Sequence, residues 1–222
     1  MKVGTDGILL GAWCRTISDT SPQYILDIGT GTGLVALMLA QRNAGANVHA
    51  IEIDESACGQ AAENFTACPW NERLQAIRGC VSSYEPAQRY SLIASNPPWF
   101  TDSLKSPSAS RNRARHDDTL NRRELLRAVR GQLHAEGTFC TIMPTKSGQE
   151  FIDLAIGSGL YCQRKCEVRP NPEKPLNRLL LEFSHVLPSG DPKLESLTIE
   201  TATRHEYTPE FRRLASEFYL RF

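Results

Sequence analysis

Short apolar runs of strand length recur along this chain, and most are followed by stretches whose apolar residues return every three or four positions. Tyr24 to Ile28 and Val48 to Ile53 read as the first two strands. Leu74 to Ile77, Tyr90 to Ser95 and Gly137 to Pro144 read as the third, fourth and fifth. Between and after them lie helical patterns at Leu34 to Arg42, Ser56 to Phe65, Leu120 to Leu133 and Gln149 to Gly157. Leu125, Leu126, Val129 and Leu133 share one face of the third, and Asp54 or Ser56 can cap the second. Near the start, Thr5 or Asp6 can cap a helix that packs on the sheet through Leu9 and Trp13.

Such alternation predicts an α/β fold, a mainly parallel sheet with helices on both faces. Leu160 to Pro170 and Leu176 to Ser184 read as strands joined by a Pro/Asn turn. That connection is too short for a crossover helix, so the pair is expected to be antiparallel. Leu197 to Glu200 reads as an edge piece and Glu210 to Tyr219 as a closing amphipathic helix. With 222 residues and no repeat or low-complexity linker, residues 1–222 are expected to form a single domain.

Composition narrows the class. Apolar residues at 41% and charged residues at 23% suit an ordinary globular chain. No apolar run has membrane-spanning length and the start lacks the features of a signal peptide, so a cytoplasmic protein is expected; a monomer is also expected. Seven cysteines, an odd number without paired CxxC spacing, fit thiols in a reducing compartment better than a disulfide framework or a zinc site; no metal is expected. Formal net charge is zero but unevenly spread. Eight Lys/Arg fall between Asp102 and Arg130, and a second basic stretch runs Arg164, Lys165, Arg169, Lys174, Arg178. Either can serve as a phosphate-binding face or simply solvate the surface.

The chemistry starts at DIGTGTG, Asp27 to Gly33, directly after the first strand. Gly29, Gly31 and Gly33 permit a tight turn and close approach of backbone to a ligand. The spacing is not that of a dinucleotide fingerprint, and the Gly-Lys-Ser/Thr ending of a phosphate loop is missing. An acid just before the turn repels a pyrophosphate but can accept from the ammonium of an amino-acid moiety, so Asp27 favours S-adenosylmethionine over NAD. Glu52, at the end of the next strand, can accept from both ribose hydroxyls of an adenosine. Cys80, at the end of the third strand, falls where an adenine ring would lie. It offers only a thiol and backbone amides to such a ring, and by its residue type it reads as a buried structural cysteine.

Asn96-Pro97-Pro98-Trp99 ends the fourth strand. The lone pair of an exocyclic adenine amine is delocalised into the ring, so the amine is a poor nucleophile. The Asn96 side-chain oxygen and the Pro97 carbonyl can accept its two hydrogens and direct that lone pair at an electrophile. The prolines fix φ. Trp99 offers a stacking face for an extruded base, and Phe100 can wall the pocket. The reaction this predicts is in-line displacement on a sulfonium methyl, with positioning supplying much of the acceleration. Beyond the tetrad, the polar segment with Arg111, Arg113, Arg115 and His116 can meet the phosphates of a nucleic acid.

Through KVGTDGILLGAW (2–13), LDIGTGTGL (26–34), ALMLAQR (36–42), SNPP (95–98) and Tyr219-Leu220, the chain resembles the bacterial tRNA1(Val) adenine-37 N6-methyltransferase family almost end to end. The resemblance implies a Rossmann-like class I methyltransferase fold with a seven-strand sheet and methylation of adenosine 37 in the anticodon region of a valine tRNA. It also implies roles for residues. Thr5 and Asp6 would line the cofactor cleft, Asp27, Gly29, Gly31 and Glu52 would hold methionine and ribose, and Asn96, Pro97 and Trp99 would form the catalytic edge. Two positions depart from the family pattern: Trp99 replaces a tyrosine, and Cys80 an aspartate that meets the adenine amine. The family also implies a further segment before Lys2. The residues alone leave open an amine methyltransferase acting on ribosomal RNA or protein glutamine, and a non-catalytic relative that binds cofactor or RNA.

Overall fold

A computed structural model of the chain describes residues 4–17, 23–97 and 122–220. Helix α1 (Thr5–Trp13) leads into strand β1 (Gln23–Ile28), then α2 (Leu34–Arg42), β2 (Ala46–Glu52), α3 (Glu55–Thr66), β3 (Leu74–Arg78) and β4 (Tyr90–Ser95). Helix α4 (Arg122–Gln132), β5 (Leu133–Pro144), α5 (Thr145–Gly157), β6 (Tyr161–Arg169), β7 (Arg178–Ser184), β8 (Lys193–Thr198) and α6 (Pro209–Ala215) follow. The strands form one sheet in the order β3-β2-β1-β4-β5-β7-β6-β8. Strands β1 to β5 are parallel; β7 runs antiparallel to β5 and β6, while β8 is parallel to β6.

Alternation of side chains across the sheet makes two apolar layers. Ile25, Leu92, Ala94, Cys140 and Ile142 face α1, α2 and α6. Leu26, Ile28, Ile93, Phe139 and Met143 face α4 and α5. Helices α1 and α2 meet closely because Gly11 has no side chain: a Cβ there would lie 2.8 Å from the Met38 sulfur. Every parallel crossover returns the chain so that the turns after β1, β2, β3 and β4 gather along one edge of the sheet.

Several expectations need correcting. The sheet has eight strands, not seven; the edge piece read at Leu197 to Glu200 is a six-residue strand, Lys193–Thr198. Helix α4 ends at Gln132, and Leu133 already pairs with Tyr90 in β5, four residues ahead of Gly137. The closing helix stops at Ala215 and tightens into a 3₁₀ turn, Ser216–Phe218. Neither Thr5 nor Asp6 caps α1: its N-cap is Gly4, without a side-chain bond, and Asp6 instead pairs with Arg178 Nε at 2.9 Å. Asp54 does cap α3, accepting from the Ala57 amide at 2.8 Å.

The second basic stretch is also not a free phosphate face. Arg164 is buried, donates to Glu182 Oε2 at 2.8 Å and to the Trp13 carbonyl at 3.0 Å, and stacks 3.7 Å from the Trp13 ring centroid. Lys165 pairs with Glu167 and Arg178 with Asp6. The Arg164 and Arg178 contacts tie α1 to the antiparallel half of the sheet.

Candidate active site

The glycine turn is held over the end of β2 by backbone bonds. Gly29 and Thr30 amides both donate to the Ile51 carbonyl, at 2.9 and 3.2 Å. Gly29, Gly31 and Gly33 have φ of 69°, 58° and 90°, a left-handed region that side chains disfavour. At Gly29 a Cβ would meet nothing within 4 Å, so the space beside that turn is open. At Gly33 it would lie 2.5 Å from Phe65, so this glycine serves the packing of α2 on α3.

Two carboxylates brace the turn from opposite sides. Asp27 is 1% exposed beneath it, and its Oδ2 accepts from Thr30 Oγ1 at 2.5 Å and from the Ala36 amide at 3.1 Å. Burial pushes its pKa up to about 7 against the opposing pull of those two hydrogen bonds; the nearby Glu52 charge adds a small further rise. Glu52 Oε2 accepts from the Gly31 amide at 2.8 Å, and Oε1 accepts from the Ile53 and Asp54 amides at 2.9 and 3.0 Å. The half-buried Glu52 carboxylate is thereby fixed in direction at the rim.

Cys80 lies one residue past Gly79, whose amide donates to the Glu52 carbonyl at 2.9 Å. Its thiol is half-buried, not buried as a structural cysteine would be, and sits 3.0 Å from Ser82 Oγ. Asn96 and Pro97 follow β4 on the same edge, both half-buried, with β4 clipped to β1 by Ser95 Oγ donating to the Ile28 carbonyl at 2.9 Å. Thr5 is exposed and Asp6 half-buried on the first turn of α1, and Arg178 ties Asp6 to the start of β7. Trp99, Phe100, Arg111, Arg113, Arg115 and His116 lie outside the described residues.

Three contributors were not singled out in the sequence. Ile53 is 47% exposed directly after Glu52, an apolar surface at the rim. Thr30 supplies the hydroxyl that Asp27 accepts, and Asn64 from α3 donates to the Thr32 carbonyl at 2.8 Å. An apolar residue continuing past a strand-ending acid was the one signal for Ile53. The Asn64 contact spans 32 residues and left none.

Open space at Gly29, a carboxylate fixed at the end of β2 and an exposed apolar neighbour together fit an adenosine-bearing cofactor with an amino-acid tail. The fold and this edge define a class I methyltransferase. A predicted O-methyltransferase of Agrobacterium tumefaciens superposes with a TM-score of 0.67 at 18% identity, over 96% of both chains. The glycopeptide N-methyltransferase MtfA, in complex with S-adenosyl-L-methionine, gives 0.60 at 16% identity over 85% of this chain and 90% of its own. The methyltransferase small domain matches residues 12–150. A tRNA1(Val) (adenine(37)-N6)-methyltransferase of Parabacteroides distasonis is 47% identical over 223 residues, spanning all of this chain and 92% of the relative. The like-named protein of Pseudoalteromonas translucida is 38% identical, again over the whole chain and 92% of the relative. The chain belongs to the tRNA1(Val) (adenine(37)-N6)-methyltransferase family.

Proposed function

We propose that this chain transfers a methyl group from S-adenosylmethionine to N6 of adenosine 37 in tRNA1(Val), working as one domain in the cytoplasm. The observation that carries the reading is family membership across the full chain together with Asn96-Pro97 set on the same sheet edge as the glycine turn and Glu52. S-Adenosylmethionine supplies an electrophilic methyl on a sulfonium centre. Glu52 accepts from ribose hydroxyls, and Ile53 gives the adenine an apolar wall. Asp27 fixes the turn from below through Thr30 and Ala36, so it shapes the site without facing the cofactor's ammonium directly.

Asn96 and Pro97 act on the substrate amine. Their oxygens accept its two hydrogens and hold the nitrogen lone pair toward the methyl group, and Trp99 stacks the base. The amine loses a proton to solvent once it has become a cation, so no general base of the chain is required. Thr5, Asp6 and Cys80 complete the cofactor wall, with the Cys80 thiol beside the adenine edge. Phe100, Arg111, Arg115 and His116 extend the RNA contact.

The test is methyl transfer from radiolabelled S-adenosylmethionine by the purified protein, offered unmodified total tRNA or ribosomal protein. Label in tRNA that maps to N6-methyladenosine is expected. Label confined to protein would replace this reading with glutamine methylation.

A further inference from the structure

Helix α1 is anchored unevenly along its length. At its C-terminal end Trp13 Nε1 donates to Glu195 Oε2 at 2.9 Å, and Arg164 covers the Trp13 ring. Arg42 Nη1 donates to the Gly11 and Cys14 carbonyls there, at 2.9 and 2.6 Å. The first turn has far less. Its N-cap, Gly4, offers no side chain, and the first helical bond, from the Ile8 amide to the Gly4 carbonyl, is stretched to 3.4 Å. Among the described residues, the side chains of that turn make one polar contact: Asp6 Oδ2 accepts from Arg178 Nε at 2.9 Å.

This turn borders the cofactor side of the edge. Gly7 is buried, and a Cβ there would lie 3.0 Å from Leu34 Cδ2, on the residue directly after Gly33. Arg178 stands on the other side. It opens β7 opposite Pro144, the end of β5, and its Nη1 donates to the Asn177 carbonyl at 3.1 Å. The Thr145 amide at the start of α5 donates to the same carbonyl at 3.2 Å. Two acceptors thus orient the guanidinium, and the backbone beneath it is clipped to the frame of the sheet. In the strand order β1-β4-β5-β7, the end of β4 with Asn96 falls between the glycine turn and Arg178. The start of β7 is two strand spacings, about 10 Å, past β4. The first turn of α1 is therefore held from both sides of the site, by packing at Leu34 and by charge at Arg178.

We propose that Arg178 is a positioning residue for the cofactor: acting through Asp6, it holds the first turn of α1 against the glycine turn, so that S-adenosylmethionine meets a wall already formed. This rests on the cofactor role given to that edge above. Both side chains are 33% exposed, and pairs at such sites shift an equilibrium by at most about fivefold. A strut transmits no more than its own strength, so its effect on cofactor affinity has the same bound.

The test is calorimetric titration of S-adenosylmethionine into wild-type protein, Arg178→Gln, Asp6→Asn and the variant carrying both changes. Arg213→Gln, which breaks the exposed pair with Glu210, controls for lost surface charge. Each single variant should weaken binding about threefold to fivefold, and the double variant no further, since either change already breaks the strut. An effect of charge through space has another signature: with a cationic cofactor, losing Arg178 would tighten binding and losing Asp6 would weaken it. Amide hydrogen exchange without cofactor should rise at residues 5–10 in both single variants and hold at 11–17, where Arg42 and Arg164 anchor the helix. Losses that multiply in the double variant would make Asp6 an independent contact and overturn the inference. Opposite signs, unchanged affinity in Arg178→Gln, or an equal loss in Arg213→Gln would overturn it too, as would exchange raised throughout the chain. If wild-type protein binds no S-adenosylmethionine, the cofactor assignment itself fails and takes this inference with it.

Discussion

Asn96 and Asp27 carry different burdens, and single substitutions separate them. Asn96 is proposed to act on the amine, so Asn96→Ala should lower kcat roughly a hundredfold, as loss of one positioned polar partner does elsewhere. Cofactor affinity by calorimetry should stay as in wild type; an equal loss of both would move Asn96 into the cofactor pocket. Asp27 is a buried acid whose pKa is raised from 3.8 to about 7 by burial. Between those values the folded state holds a proton that the unfolded chain has released, so this residue's contribution to stability declines as pH rises from about 4 to 7. Asparagine keeps an oxygen for Thr30 and Ala36 without the charge. Asp27→Asn should therefore gain on wild type by a few kcal/mol across that window in urea melts; parallel pH profiles would show the carboxylate to be ionised throughout.

At the scale of elements, the joint between α1 and the antiparallel strands depends on charge. Glu182, 1% exposed on β7, accepts from Arg164 on β6, and Arg15 just after α1 reaches its other oxygen at 3.0 Å. Arg164→Met leaves that carboxylate poorly compensated and should cost about 3–5 kcal/mol. Changing Glu182 to Met as well should recover most of the loss, since two apolar side chains can replace a buried pair. No recovery in the double variant would mean that Arg164 acts chiefly through the Trp13 ring.

How legible these elements were in the sequence follows from what bounds them. Leu34–Arg42 and Tyr90–Ser95 were read to the residue, because Gly33 opens the helix in a left-handed conformation and Asn96-Pro97 stops the strand. Strand β8 was nearly missed because an edge strand with one buried side, Leu197, and an exposed Leu194 carries little apolar pattern. The start of β5 was absorbed into α4, since Leu133 continues that helix's apolar face while belonging to the strand. Asp6 read as a cap because capping is local. Its partner Arg178 is 172 residues away, and no sequence pattern links them. The glycine turn and Glu52 were legible for the opposite reason: their chemistry is encoded at consecutive strand ends.

Over the whole molecule, the parallel half of the sheet brings the cofactor turn, Glu52 and Asn96 to one edge, while the antiparallel half anchors α1 beside it. The central claim is that this edge serves a single nucleoside of a single RNA. It is tested most directly by nucleoside mass spectrometry of purified valine tRNA from a strain lacking the gene. N6-methyladenosine should disappear from position 37 and return when the wild-type gene, but not Asn96→Ala, is restored. Persistence of that nucleoside in the deletion strain, with methylation lost instead from ribosomal RNA or protein, would contradict the account.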